Sequence, residues 1–82
     1  MMSIHIRILF FGATAEMVGK RFIEQEVETG LLSREVFDRT IAGYPALSRQ
    51  KLLFSINRQY ANGDEPVFDG DELAIFTAVS GG

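Results

Sequence analysis

The stretch Asp69-Gly70-Asp71-Glu72-Leu73-Ala74-Ile75-Phe76-Thr77-Ala78-Val79-Ser80-Gly81-Gly82 decides the fold. Its first three residues read as a tight turn, with glycine free to take positive φ. From Leu73 to Val79 the side chains alternate, with Leu73, Ile75, Thr77 and Val79 on one face and Ala74, Phe76 and Ala78 on the other. That is a strand, and two glycines follow it. At average glycine usage a terminal pair arises by chance about once in two hundred chains. Neither glycine can pack a core, so the ending calls for a chemical reason.

A second strand of the same kind lies at the other end, where Ile4, Ile6, Ile8 and Phe10 alternate with His5, Arg7, Leu9 and Phe11. Gly12 closes it. Thr14 is read as the cap of a short turn through Glu16, Met17 and Val18 that Gly19 ends. Phe22 to Val27 forms a weaker strand, paired with the first as an antiparallel hairpin. Ser33 is the expected N-cap of the main helix, with Glu35 in its first turn; Val36, Phe37, Thr40 and Ile41 share one face, and Gly43 before Tyr44-Pro45 stops it. Leu52 to Ile56 is a third strand. A short strand around Tyr60 with turns follows, because Asn62-Gly63 and Pro66 break any long run.

Strand, strand, helix, strand, short strand, strand is an α+β layout, with one helix laid over one face of a mixed sheet. A β-grasp arrangement suits it, since the first and last strands can lie parallel and adjacent at the centre. Leu9 and Phe11 then neighbour Phe76 on the face away from the helix. Either loops and Tyr60 cover these rings, or they are kept for a partner.

The 82 residues form one domain, expected to be a β-grasp body with a flexible tail over 78–82. With 46% hydrophobic residues, seven of them Phe, and no cysteine, stability rests on packing rather than on disulfides or thiolate metal sites. The net charge of −3 argues against nucleic acid and against an anionic membrane surface. No secretory signal or membrane-spanning run is legible, and the cytoplasm is the expected compartment.

Few residues offer chemistry. The single histidine, His5, sits on a strand flank with no cysteine to pair with, and no nucleophile-elbow motif is present. Asp69, Asp71 and Glu72 around one glycine fall short of calcium-loop spacing, so a turn with solvated charges is the reading there and no metal is expected. No glycine-rich loop joins a strand to a helix. The α-carboxylate of Gly82 remains. It is inert in water, but transfer of AMP to it would create a good leaving group. Gly81-Gly82, lacking Cβ atoms, could thread a channel closed to other side chains. A frayed terminus would account for flexibility but not for two glycines.

The stretches "ILFFG", "EMVG" at Glu16 to Gly19, "YPAL" at Tyr44 to Leu47, "IN" followed by Tyr60, and "DGDELAIFTAVSGG" together resemble the small subunits of molybdopterin synthase, within the ubiquitin-like sulfur carriers. The resemblance covers nearly the whole chain. It implies a β-grasp fold and a carrier that is no enzyme on its own. An activating enzyme would use ATP to adenylate Gly82, and a sulfur donor would convert the adenylate to a thiocarboxylate. The tail would then enter the large synthase subunit and give its sulfur to cyclic pyranopterin monophosphate, forming the dithiolene of molybdopterin. Two small and two large subunits are implied, with no tightly bound cofactor. By the same resemblance Gly82 is the reacting residue and Gly81 its slim approach, while Phe11, Tyr60 and Phe76, with Val79 and Ser80, meet the partner. Thr77-Ala78 stand where the family often has a proline pair. Three alternatives stand beside this reading: a thiamine-pathway sulfur carrier, a ubiquitin-like protein modifier, and an interaction domain with an idle tail.

Overall fold

The computed structural model describes residues 2–78, so the expectations for Val79, Ser80, Gly81 and Gly82 lie outside the described residues. Eight elements follow in order: β1 (Ser3–Phe10), α1 (Ala13–Val18), β2 (Phe22–Glu28), α2 (Ser33–Ala42), a 3-10 turn (Pro45–Arg49), β3 (Leu52–Ile56), β4 (Gln59–Tyr60) and β5 (Glu72–Thr77). The five strands make one mixed sheet in the order β2-β1-β5-β3-β4. This is the β-grasp arrangement expected from the sequence.

The parallel pair at the centre joins the two ends of the chain. Arg7 lies opposite Glu72, Ile8 opposite Leu73, Leu9 opposite Ala74 and Phe10 opposite Ile75. The alternation in β1 sends Ile4, Ile6, Ile8 and Phe10 to the helix side, where all four are buried together with Val27, Leu31, Val36, Leu47, Leu73 and Ile75. Burying a large aliphatic side chain stabilises the fold by roughly 1.5–3 kcal/mol each. α2 contributes Val36 and Thr40 to this core, and its Phe37 stacks on Phe54 with ring centroids 4.5 Å apart. The 3-10 turn, which alternation and periodicity do not reveal, buries Leu47 and closes one end of the core. Tyr44 just ahead of it meets Phe10 edge-on at 5.7 Å.

Two cap expectations are corrected. Ser33 is the first residue of α2, and Leu32 stands at the N-cap with extended backbone. The Leu32 amide donates to the Glu35 carboxylate at 2.9 Å. The Ser33 hydroxyl is committed elsewhere, donating to Glu65 at 2.6 Å. Thr14 is likewise no cap: α1 starts from Gly12, and the Thr14 hydroxyl donates to backbone carbonyls instead.

The helix start is satisfied by a distant loop. The Ser33 amide donates to the Glu65 carbonyl at 2.7 Å and the Arg34 amide to that of Gly63 at 3.1 Å, which supplies acceptors to N–H groups that a helix end leaves unpaired. The Glu65 carboxylate gathers the Ser33 hydroxyl and the amides of Asn62 and Gly63. Gly63 takes φ +104°, and a Cβ there would come within 3.1 Å of Arg34 Cβ, so no other residue fits without a shift. Between β3 and β4 the turn residues Asn57 and Arg58 both adopt positive φ, at 48° and 71°. That is the conformation a two-residue hairpin demands.

Those hydrogen bonds, the one from Ser33 foremost, hold the Glu65 carboxyl down from the ordinary 4.5 to about 2. A carboxylate with a depressed folded value stabilises the fold above its unfolded value and loses that contribution as pH falls through the folded one. Wild type should therefore melt above Glu65→Gln at neutral pH, with the gap closing between about pH 4.5 and 2. A gap of constant size across a pH series of thermal melts would contradict this role for Glu65.

Candidate functional site

With both helices and the 3-10 turn contributing to the opposite side, the outer face of the sheet is left to its own side chains. Register places them in rows. Phe22, Leu9, Ala74, Ser55 and Tyr60 form one row across all five strands. Beyond it Phe76 lies opposite Leu53. Phe11 continues the parallel ladder past the end of β1, its amide donating to the Ile75 carbonyl at 3.1 Å. On the other side of the row stand Glu24, Arg7 and Glu72, then Glu26 and His5.

The face is thus divided. One half is apolar and open: Tyr60 is 79% exposed, Phe11 52% and Leu53 43%. The Tyr60 ring leans edge-on against Phe76 at 5.8 Å, so Tyr60 joins the patch rather than hiding it. The other half is ionic. Arg7 lies 3.1 Å from Glu24 and 4.0 Å from Glu72, and His5 stands 4.0 Å from Glu26. Exposed pairs of this kind contribute little to stability, but they mark a wetted surface. The structure therefore brings Phe11, Tyr60 and Phe76 together on one face, as strand parity required of Phe11 and Phe76. Alternation along Leu52 to Ile56 carries the signal for Leu53, which shares the outer face with Ser55 and lies opposite Phe76.

Thr14 fixes the apolar half in place. It is fully buried, and its hydroxyl lies 2.7 Å from the Phe11 carbonyl and 3.0 Å from that of Ile75, so the start of α1 is tied to the ends of both central strands. Gly12 makes the bend possible with φ 56° and ψ −129°, a region closed to side-chain-bearing residues. On the far side, the Ala78 amide donates to the Lys51 carbonyl at 2.9 Å. The last described residue is therefore still held in register, and it leaves the sheet at the apolar end.

The turn at Asp69-Gly70-Asp71 takes the conformation expected, with Gly70 at φ 87°. Its acids serve the fold. Asp69 accepts from the His5 amide at 2.8 Å, and Asp71 from the Phe68 amide and the Asn57 side chain. No group of three acidic, histidine or cysteine side chains suited to a metal occurs among the described residues. Nor is any helix among them long and apolar enough to cross a membrane.

The sequence profile of the ThiS family matches residues 8–82. The chain belongs to the ThiS family. Within it, the molybdopterin synthase sulfur carrier subunit of Escherichia coli is 34% identical over 82 residues, covering 94% of this chain and 99% of that protein. The protein of the same name from Chlamydomonas reinhardtii is 31% identical over 81 residues, covering 94% and 98%. Among solved structures, the small archaeal modifier protein 1 of Haloferax volcanii superposes with a TM-score of 0.82 at 27% identity, over 93% of this chain and 99% of that one. The resemblance read from "ILFFG" and the terminal stretch is borne out by these relatives. So is the ubiquitin-like β-grasp fold of this ThiS-family chain.

Loss of a buried hydroxyl hydrogen bond costs about 0.5–1.5 kcal/mol. Thr14→Val should accordingly lower the melting temperature by roughly 2–12 °C, given about 4–8 °C per kcal/mol in a domain of this size. Thr14→Ser should recover most of the loss. Wild-type stability in Thr14→Val, with Thr14→Ser destabilised in calorimetry, would show that the methyl group, not the hydroxyl, matters.

Proposed function

We propose that this chain is the sulfur-carrying subunit of a molybdopterin synthase, with the α-carboxylate of Gly82 as its reacting group. The observation that carries the reading is the junction of two features: β5 leads the chain out of the sheet beside an open apolar patch, and the family match runs through residue 82. A protein whose face is made for docking and whose chemistry sits at the chain end needs no pocket of its own. The relatives named sulfur carrier subunits of molybdopterin synthase supply the class of chemistry.

The proposed sequence begins on an activating enzyme. A Gly82 carboxylate oxygen attacks the α-phosphorus of ATP, pyrophosphate leaves, and an acyl-adenylate forms. Sulfur from a donor then attacks the carbonyl carbon, AMP departs, and the terminus becomes a thiocarboxylate. The large subunit docks on Phe11, Tyr60 and Phe76, with Val79 and Ser80 leading inward and Gly81 allowing passage through a narrow channel. There the thiocarboxylate sulfur bonds to a carbon of cyclic pyranopterin monophosphate, displacing an oxygen substituent, and water cleaves the resulting thioester to return Gly82 to its carboxylate; two such transfers supply the two sulfurs of the dithiolene. Two small and two large subunits make up the assembly, and ATP is consumed by the activating enzyme rather than held by this chain.

A second reading, a protein modifier joined through Gly82 to lysines, is favoured by the likeness to the archaeal modifier. The two separate cleanly. In a strain lacking its own small subunit, removal of Gly82, or one residue added after it, should abolish molybdopterin formation while circular dichroism stays unchanged. Full cofactor synthesis by either variant would overturn the proposal. ATP-dependent ladders of larger conjugates, with no molybdopterin made, would favour the modifier.

A further inference from the structure

The apolar half of the face does not stop at Phe11. Where the end of β1, α1 and the start of β2 meet, a cleft of about 700 Å3 opens, lined by Leu9, Phe11, Glu16, Lys20, Arg21 and Phe22. Phe22 is 48% exposed on the outermost strand, leaving about half of an aromatic ring open to water. The Arg7 guanidinium stands 4.9 Å from the centroid of the ring, which steadies it as one wall of the cleft. Lys20 and Arg21 stand at the same cleft. Arg7, Arg34 and Arg39 each reach a carboxylate; Lys20 and Arg21, like Arg49, Lys51 and Arg58, form no salt bridge among the described residues, and of these five only Lys20 and Arg21 line the cleft.

We propose that this cleft is a second anchor point on the docking surface: it takes an apolar side chain of the protein that accepts the tail, with a partner carboxylate beside it that Lys20 and Arg21 pair. The inference rests on the reading of the Phe11, Tyr60 and Phe76 patch as that partner's docking face. Two observations carry it. The cleft and the patch share Phe11 as a common wall, so one partner surface can cover both without a gap. The charges are also complementary to such a partner in a molecule of net charge −3, because Lys20 and Arg21, which form no salt bridge among the described residues, border this mostly apolar cleft. Anchors of this kind, an apolar side chain in a pocket with a flanking ion pair, concentrate binding energy.

A second copy of this chain fits less well. β2 is an edge strand carrying Glu24, Glu26 and Glu28 at alternate positions, and edge-to-edge approach of two copies would bring these acids together. Glu24 and Glu28 are moreover already paired with Arg7 and Arg39.

Titration calorimetry of the full chain against the large synthase subunit from the same genome tests this. Phe22→Ser should weaken binding about tenfold or more, the loss expected of an anchor residue. Lys20→Glu with Arg21→Glu should weaken it to a similar degree and flatten its dependence on salt. Thermal melts should show both variants folded, since all three side chains are exposed. Wild-type affinity in both variants, with Phe76→Arg unable to bind, would overturn the second anchor and leave the docking face standing. Binding unaffected by Phe76→Arg would overturn the docking face and the anchor with it. Self-association of the isolated chain that Phe22→Ser abolishes would assign the cleft to a second copy instead.

Discussion

Everything in this molecule depends on the parallel pairing of β1 with β5. Residues some 65 positions apart lie side by side, from Arg7 opposite Glu72 to Phe10 opposite Ile75. Parallel pairs tend to be covered on both faces. Here the helix side meets that condition: Ile6, Ile8, Leu73 and Ile75 are almost wholly excluded from water. The outer side does not. No helix crosses it, so Leu9, Phe11 and Phe76 meet water at one end while Arg7 and Glu72 form ion pairs at the other. The pairing also sets direction. Because the two strands run the same way, the chain leaves β5 at the end where β1 bends into α1, and Thr14 ties that corner with one hydroxyl.

An open apolar half-face is a cost in a free protein and an asset in a bound one. Large side chains gain roughly 1.5–3 kcal/mol each on full burial, and association consumes several kcal/mol of lost freedom before any affinity appears. Six apolar residues, spread from Phe22 through Leu9, Phe11, Phe76 and Leu53 to Tyr60, are the area this face sets against that cost. The ionic half, with Arg7 between Glu24 and Glu72, bounds the apolar half on one side. Edge glutamates on β2 keep the same surface from sheet-to-sheet association. The open apolar half and the acidic edge are thus built from one set of strands.

The sequence made the strands at both ends legible because alternation is a strict period, and a one-residue slip would have exposed Ile6 and Ile8. α2 was legible from Val36, Phe37, Thr40 and Ile41 at helical spacing. The caps were misread for a common physical reason. Ser33 and Thr14 carry hydroxyls that could serve local backbone, but each is committed to a partner distant in sequence, Glu65 in one case and Ile75 in the other. Local rules cannot see such partners. The hub at Glu65 was invisible on the same grounds, and Arg58 in a left-handed conformation leaves no trace in composition. The outward placement of the Phe11 and Phe76 rings was within reach of parity; Phe22 was placed on its strand, but its position at the mouth of a cleft is visible only in the fold. The proposed reacting end, Gly81-Gly82, rests on chemistry alone, since a glycine pair after a strand offers no side chain to pack.

If the terminal carboxylate is the working group, its covalent state in the cell is the most direct evidence. The full chain, produced together with its activating enzyme and sulfur donor, should give an intact mass in which a fraction of molecules has one C-terminal oxygen replaced by sulfur, and fragmentation should locate the change at Gly82. Unmodified carboxylate throughout, with the activating machinery present and active, would contradict the account.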